Sequence, residues 1–433
     1  MIITKRLYLI PIYLLSLVVN AQTIDDLIQY NKENLTDLYG KRGAPADWLF
    51  TGHVNEMYLI DALNSYEDEV GIIIYSHQNN ELTISLINKK GILQSVKHTI
   101  SKDTIIEQVN DVNQLFSSNL SSQIPSFRGS ISTNLKKSTK VTEKAYRNLN
   151  TILLPNEWQL EDYDHLIIVP TLNLSTLPFA AFKMGETFLI DKMSFSIAPS
   201  LFEFMVSTNI NYNDAQSNND GYNWTNALFV ANPKYPKTTD WQFPDLPGTV
   251  EEINYITRSL QQETFTILTA ENATKHAVMD NICNYDLLYF ATHGISDATN
   301  PLDNSFLVLA EGENNTAFLT AKEIMNLRQK CMLQADLVVL SACQTGIGAS
   351  HDGGIIGMAR SFQIAGANHV LMSLWSINDK ETATLMGFFF DFLNQSGRLQ
   401  PHEALRQAIL KYKSEVNNDP KYWAAFSIFG VPY

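Results

Sequence analysis

Four consecutive apolar residues, Leu337-Val338-Val339-Leu340, are the most restrictive feature of this 433-residue chain. A strand with one face in water alternates apolar and polar side chains, whereas a strand apolar at every position is buried on both faces. Such a strand needs a helix layer above and below it, and parallel neighbours are the usual solution. Further short apolar runs occur at Leu166–Val169, Ala227–Val230, Thr264–Leu268, Leu287–Ala291, Phe306–Leu309 and Val370–Leu374. Segments with helical periodicity lie among and beyond them, at 249–261, 273–282, 321–329, 354–365, 380–394 and 402–415. The pattern predicts an α/β fold: a three-layer sandwich with a mostly parallel central sheet flanked by helices. No internal repeat of 20–50 residues is visible.

The chain before 165 has a different texture. Residues 70–99 contain three β-branched runs separated by Gln78-Asn79-Asn80 and Asn88-Lys89-Lys90-Gly91, the pattern of a β-meander. Residues 102–119 and 141–152 read as helices. The Ser-, Thr-, Asn- and Lys-rich stretch Ser117 to Thr142 reads as a loop, as does Asn209 to Asn223. Residues 22–64 are polar and helix-leaning. The expected organisation is therefore a leader over 1–21, a helical segment over 22–64, an N-terminal strand and helix part over 65–164, and a core over 165–433.

The leader is expected from a three-part pattern. Lys5 and Arg6 precede the apolar run Leu7 to Val19, and Val19-Asn20-Ala21 places small residues where a signal peptidase cuts. The run is too short to cross ~30 Å of hydrocarbon as a helix. Secretion into the periplasm or beyond the cell is expected, with no membrane span after cleavage. The chain carries 45 acidic against 31 basic side chains, a net charge of −14. Loss of Lys5 and Arg6 would deepen the excess. Nucleic acid, which is bound through a basic surface, is an excluded partner class. Cys283, Cys331 and Cys343 are the three cysteines. An odd count in a secreted chain leaves at least one thiol unpaired. Cys283 and Cys331 are expected as two buried free thiols at the sheet edge far from the reactive residues; a disulfide between them is the alternative.

Reactive groups in open parallel sheets collect beyond the carboxyl ends of strands. Two ends stand out. Leu287-Leu288-Tyr289-Phe290-Ala291-Thr292 delivers His293 and then Gly294; Leu337-Val338-Val339-Leu340-Ser341-Ala342 delivers Cys343. Side by side, these strands would bring an imidazole to a thiol, the pairing that cysteine nucleophilic catalysis requires. The backbone N–H groups of Gly294 and Cys343 are the expected oxyanion donors, with glycine allowing a sharp turn. A metal bound by His293, Cys343 and His351 finds no support in a short ligand pair such as C-x-x-C. No cofactor is expected.

These strand ends resemble the histidine and cysteine motifs of the CHAT family, a caspase-like branch of the clan that also holds separases, caspases and gingipains. The spacing of His293 and Cys343 fits the caspase pattern of a histidine ~50 residues upstream of the cysteine. Leu166-Ile167-Ile168-Val169-Pro170, Leu177-Pro178-Phe179, Ala198-Pro199-Ser200, and Leu246-Pro247-Gly248 with Glu251 and Glu252 are similar to further family motifs. So are Ala365-Gly366-Ala367, Ser373-Leu374-Trp375, Glu403-Ala404-Leu405-Arg406, and Tyr422-Trp423-Ala424-Ala425-Phe426 with Gly430. The ordered set covers about 165–433, with looser strands over 65–164, and its last motif closes the chain, so no sorting domain is expected after it. Two departures are evident: no helical TPR repeats precede the domain, and Thr171-Leu172-Asn173 stands where the family usually has Asp-Gly.

The resemblance implies a caspase-like cysteine endopeptidase acting on a protein or peptide substrate, with a regulatory protein as a further partner. A catalytically silent scaffold or an acyl-transfer enzyme with the same dyad are the alternatives. It also implies a substrate-binding acid. Asp379 follows Trp375, matching an aspartate thought to receive the basic residue in separases, and Asp352 is its rival on the glycine-rich loop. Asp379 also stands where a helix cap is expected.

Overall fold

The computed structural model describes the chain apart from residues 1–22, 41–54, 118–137, 202–203, 206–223, 225, 238–242, 261–264, 281, 298–299, 313–315, 342–348, 352–353, 376, 378, 396–399 and 433. The expected leader, Cys343, Asp352 and the Asn209 to Asn223 loop lie outside the described residues.

One 11-stranded sheet organises the molecule. Its strands are β1 (Val70–Gln78), β2 (Glu81–Asn88), β3 (Gly91–Thr99), β4 (His165–Val169), β5 (Ser194–Ile197) and β6 (Ala227–Pro233). They continue with β7 (Phe265–Ala270), β8 (Leu287–Ala291), β9 (Leu337–Leu340), β10 (His369–Ser373) and β11 (Phe426–Phe429). The spatial order is β3-β2-β1-β4-β5-β11-β10-β9-β8-β6-β7. The meander is thus continuous with the core sheet, because β1 pairs in parallel with β4.

Beyond the antiparallel meander strands β2 and β3, the sheet consists of two parallel blocks. β1, β4, β5 and β11 run one way. β10, β9, β8, β6 and β7 run together in the other. The blocks meet antiparallel at the β10–β11 seam, where Val370 faces Phe429.

Burial follows the period-2 geometry of strands. Ile72, Ile74, Ile167 and Val169 face a core built with Ile24, Leu27, Leu59 and Leu63 from the helices Ile24–Gly40 and Glu56–Asn64. Ile73, Tyr75, Leu166 and Ile168 face the helices Lys102–Ser117 and Thr139–Leu153. In the second block, Tyr289 meets Phe390 of the helix Asp379–Gln395. Its neighbour Phe290 meets Phe362 of Met358–Ala365 on the opposite face.

Several expectations need correction. The segment 354–365 is not one helix: Gly354–Ile356 pairs with Ala349–His351 as a hairpin, and the helix begins at Met358. Phe306–Val308 is a strand, but of a separate antiparallel sheet with Gly294–Ile295 and Phe318–Thr320. Both ends of the expected loop Ser117 to Thr142 are helical, at Ser117 and from Thr139 on, and 118–137 lie outside the described residues. Gly366 closes the helix Met358–Ala365 at φ 121, where an added Cβ would lie 2.7 Å from the Leu333 carbonyl. Only glycine fits that approach.

Cys283 and Cys331 form a disulfide, with Cα atoms 6.2 Å apart, and are not the two free thiols expected from their residue type. The cause is strand register. Leu287 pairs with Leu337, so the segments entering β8 and β9 arrive together at one sheet edge. There the Gln334 N–H bonds the Cys283 carbonyl. The separation falls within the range a bridge needs.

Candidate active site

His293 lies two residues beyond the end of β8, on a half-buried segment whose neighbour Thr292 is buried. The Thr292 hydroxyl donates to the Val308 carbonyl, and the Val308 N–H donates to the His293 carbonyl over 2.8 Å. These bonds fix the backbone on either side of the imidazole.

The ring itself is held by a loop. His293 Nε2 lies 2.8 Å from the Pro244 carbonyl. A carbonyl only accepts, so Nε2 carries a proton, and in a neutral ring the lone pair is then on Nδ1. Pro244 is put there by β6. Asn232, in the left-handed region at φ 39, sits at the register shift between the paired residues Ala231 and Pro233 and accepts from the Leu246 N–H at 2.7 Å. Asparagine tolerates this conformation better than most residues. Pro247 then starts the helix Pro247–Ser259, where a missing N–H costs nothing.

Aromatic rings enclose the same imidazole. The Tyr235 and Phe243 centroids lie 4.7 Å and 5.4 Å from it. Phe318 lies 6.3 Å from Phe243 and 4.6 Å from Phe306. Neither Pro244 nor this wall was found by sequence reasoning. The Leu246-Pro247-Gly248 motif was the available signal, since it marks the end of the loop that carries Pro244 and Phe243.

Gly294 starts the short strand Gly294–Ile295, opposite Leu307. Because Val308 bonds to His293, the Gly294–Leu307 pair is of the non-hydrogen-bonded type, and the Gly294 N–H points away from that partner strand.

The neighbouring strand β9 is in register with β8: Leu287 with Leu337, through to Phe290 with Leu340. His293 and Cys343 therefore each stand three residues past a paired position on adjacent parallel strands. Ser341 is the last described residue before Cys343. Its hydroxyl donates at 3.0 Å to Glu252 Oε1, which also accepts from the Tyr289 hydroxyl. Burial and the Glu252 charge push the Tyr289 phenol well above its ordinary range, so it remains a donor.

β10, the other neighbour of β9, leads to Trp375 and to the helix Asp379–Gln395, which begins at Asp379. The side chain of Asp379, like Asp352 and Cys343, lies outside what is described. Among the described residues, no three His, Cys, Asp or Glu side chains are grouped to hold a metal, and no helix is long and apolar enough to cross a membrane.

The chain is similar to human tetratricopeptide repeat protein 28, with 22% identity over 418 residues, covering 85% of this chain and 16% of that protein. The mouse protein of the same name is 24% identical over 241 residues, covering 48% of this chain and 10% of its own length. This chain thus spans a small part of the curated relatives it matches. The Saccharomyces cerevisiae separase–securin structure has the same fold, with a TM-score of 0.55 at 11% identity, covering 87% of this chain and 31% of that one. The CHAT domain model matches residues 143–431, which takes in β4 to β11 together with His293 and Cys343. The chain belongs to the CHAT domain family.

Proposed function

We propose that this protein is a secreted cysteine endopeptidase in which Cys343 is the nucleophile and His293 the general acid–base. The observation that supports this reading is the parallel register of β8 and β9, with His293 and Cys343 each three residues further along the sequence from the Phe290–Leu340 pair. Cys343 gives its proton to His293 Nδ1 while Nε2–H stays on the Pro244 carbonyl. The thiolate adds to the scissile carbonyl, and the N–H groups of Gly294 and Cys343 receive the oxyanion. His293 then protonates the leaving amine, and water cleaves the thioester. Hydrolysis needs no metal or organic cofactor in this scheme.

The disulfide between Cys283 and Cys331 supports the secreted reading, since such bridges persist in oxidising compartments. It also leaves Cys343 as the one thiol outside that pair. Asp379 and Asp352 are the acids proposed to receive an Arg or Lys side chain before the scissile bond. The separase structure that shares this fold was solved with securin, which supports a regulatory protein as a partner here.

The test is incubation of the protein, freed of residues 1–21, with a peptide library, beside Cys343→Ala. Cleavage by the first and none by the second is expected. Cleavage by both, or transfer of the acyl group to an added amine in place of hydrolysis, would replace this reading.

A further inference from the structure

Glu252 has no role in the scheme above, yet it sits between its two arms. It lies in the helix Pro247–Ser259, whose other inward residues, Thr249, Ile253 and Ile256, are positioned for packing. Glu252 is 2% exposed, an unusual place for a carboxylate. A polar group so buried is costly unless its hydrogen bonds are made. Those bonds join the two reactive strands. Oε1 accepts from the Tyr289 hydroxyl on β8 and from the Ser341 hydroxyl at the end of β9. Tyr289 is four residues before His293, and Ser341 is two residues before Cys343. One oxygen atom therefore ties together the strands that deliver the imidazole and the thiol.

The two contacts differ in kind. Tyr289 is fully buried within the sheet core, between Phe229 and Phe390, so packing holds it without Glu252. Ser341 has left the paired part of β9, whose ladder to β8 ends at the Phe290–Leu340 pair. At Ser341 the backbone is past both ladders of β9, and its hydroxyl bonds to Glu252. The same helix begins three residues after Pro244, whose carbonyl holds His293 Nε2. This helix and the loop before it thus contact both strand ends: His293 through Pro244 and Ser341 through Glu252.

We propose that Glu252 is a positioning residue, which fixes the segment carrying Cys343 relative to His293 by accepting the Ser341 and Tyr289 hydroxyls on one carboxylate oxygen. The inference rests on the dyad reading and extends it to a residue that touches neither the substrate nor the reacting atoms. Its action is geometric. A displacement of about 1 Å at a reacting group can cost about a hundredfold in rate.

The experiment reads the thiol directly, so that it needs no known substrate. Alkylation of Cys343 by iodoacetamide is followed against pH by mass spectrometry in the intact, disulfide-bonded protein. Wild type, His293→Ala, Ser341→Ala, Glu252→Gln and Glu252→Ala are compared, with thermal unfolding measured alongside. Wild type should alkylate rapidly at a pH where a free thiol is protonated, and His293→Ala should lose this advantage. Ser341→Ala should lose about tenfold of the rate and move the profile toward that of a free thiol, because the thiol no longer meets its base in register. Glu252→Gln, whose amide oxygen still accepts both hydroxyls, should retain most of the rate, while Glu252→Ala loses it. Ser341→Ala removes only a hydroxyl and keeps the test valid if Glu252→Ala fails to fold. A Ser341→Ala profile identical to wild type would overturn the positioning role and leave the dyad standing. A wild-type profile indifferent to His293→Ala would end the dyad reading and this proposal with it.

Discussion

The two parallel blocks of the sheet share an architecture and differ in what their carboxyl ends deliver. In the first block, β4 ends in Val169-Pro170-Thr171 and β5 in Ile197-Ala198-Pro199, both buried or nearly so. In the second, β8 ends in Thr292-His293-Gly294 and β9 in Ser341 on the way to Cys343. A parallel strand end is therefore a position where chemistry can be placed, and the residues decide whether it is. Histidines sharpen the contrast. His165, His369 and His402 are buried about the seam, with the His165 and His402 rings 4.0 Å apart. His293 is half-buried, and its proton is directed by a carbonyl. The first group is enclosed by the core, and the second stands at the strand end where the proposed site lies.

The largest effect that can break this contrast is catalytic. His293→Ala and Cys343→Ala should each lower kcat/KM by about a thousandfold or more, and the double variant should be little worse than either, because residues acting as a unit are not additive. His165→Gln, by contrast, should leave kcat unchanged in the protein that still folds. Peptidase rates measured on purified variants decide the matter. Appreciable turnover by Cys343→Ala would remove the distinction between the two blocks.

Acid should strike the other group. Burial drives His165 down to about 3 and His369 to about 4, and holds His402 well below the ordinary range, with mutual repulsion adding to each of the first and last. Unfolded histidines titrate near ~6.5, so below that pH the unfolded chain takes up protons that the fold refuses. Stability contributed by these groups is full above ~6.5 and falls as pH drops toward the folded values, by about 2 kcal/mol for each of His165 and His369 at pH 5, with His402 acting in the same direction. Asp336 works against this. Burial and the neighbouring Asp286 raise it to about 6, so the fold binds its proton first and gains about 1 kcal/mol by pH 5. Three against one leaves a net loss. Urea midpoints between pH 7 and 5 should fall, and His369→Gln, where it folds, should flatten the slope. A midpoint unchanged over that range would contradict neutral burial.

The disulfide comes next in size. It closes a loop of 48 residues, for which the chain-entropy argument gives about 4 kcal/mol. Cys283→Ser with Cys331→Ser should lower stability by about 2–4 kcal/mol and leave the Cys343 alkylation profile unchanged, because the bridge joins the starts of β8 and β9 and not their ends. Equal stability with and without reducing agent would contradict it.

What the sequence disclosed follows the same division. Leu287–Ala291 and Leu337–Leu340 are strands to the residue, because an unbroken apolar run flanked by polar residues has one way to be buried. Ser194–Ile197 and Phe426–Phe429, both central strands, were not read as such. Their alternating serines, buried at Ser194, Ser196 and Ser427, look like a surface and are in fact satisfied inside, as the bonds of His165 to Ser194 and Ser196 illustrate. The disulfide was misjudged because residue type argues for a buried thiol, while pairing depends on register, which one-dimensional spacing does not give. Pro244 was invisible for a related reason. It acts through a backbone carbonyl, which any residue supplies, so no side-chain motif marks it.

The smallest effect concerns specificity, and it tests whether the edge next to β9 contributes to the second block's chemistry. β10 is the strand beside β9, and the helix that follows it starts at Asp379. A carboxylate at that end would face the residue preceding the scissile bond if, as proposed, the strand between β8 and β10 leads to the nucleophile. A charged hydrogen bond to Arg or Lys is directional and contributes roughly 1.5–3 kcal/mol, about ten- to a hundredfold in preference. A helix cap at the same residue contributes only about 1 kcal/mol, and to stability, not to selection among substrates. The two roles therefore separate in one experiment. Peptides with Arg, Lys, Asp or Leu at that position are compared for wild type, Asp379→Ala and Asp379→Asn, with thermal unfolding alongside. A basic preference lost in both variants assigns the contact to the charge, because Asn still caps a helix. A preference that survives in both moves it to Asp352, and a wild-type preference for Asp or Leu ends the acidic-pocket reading altogether.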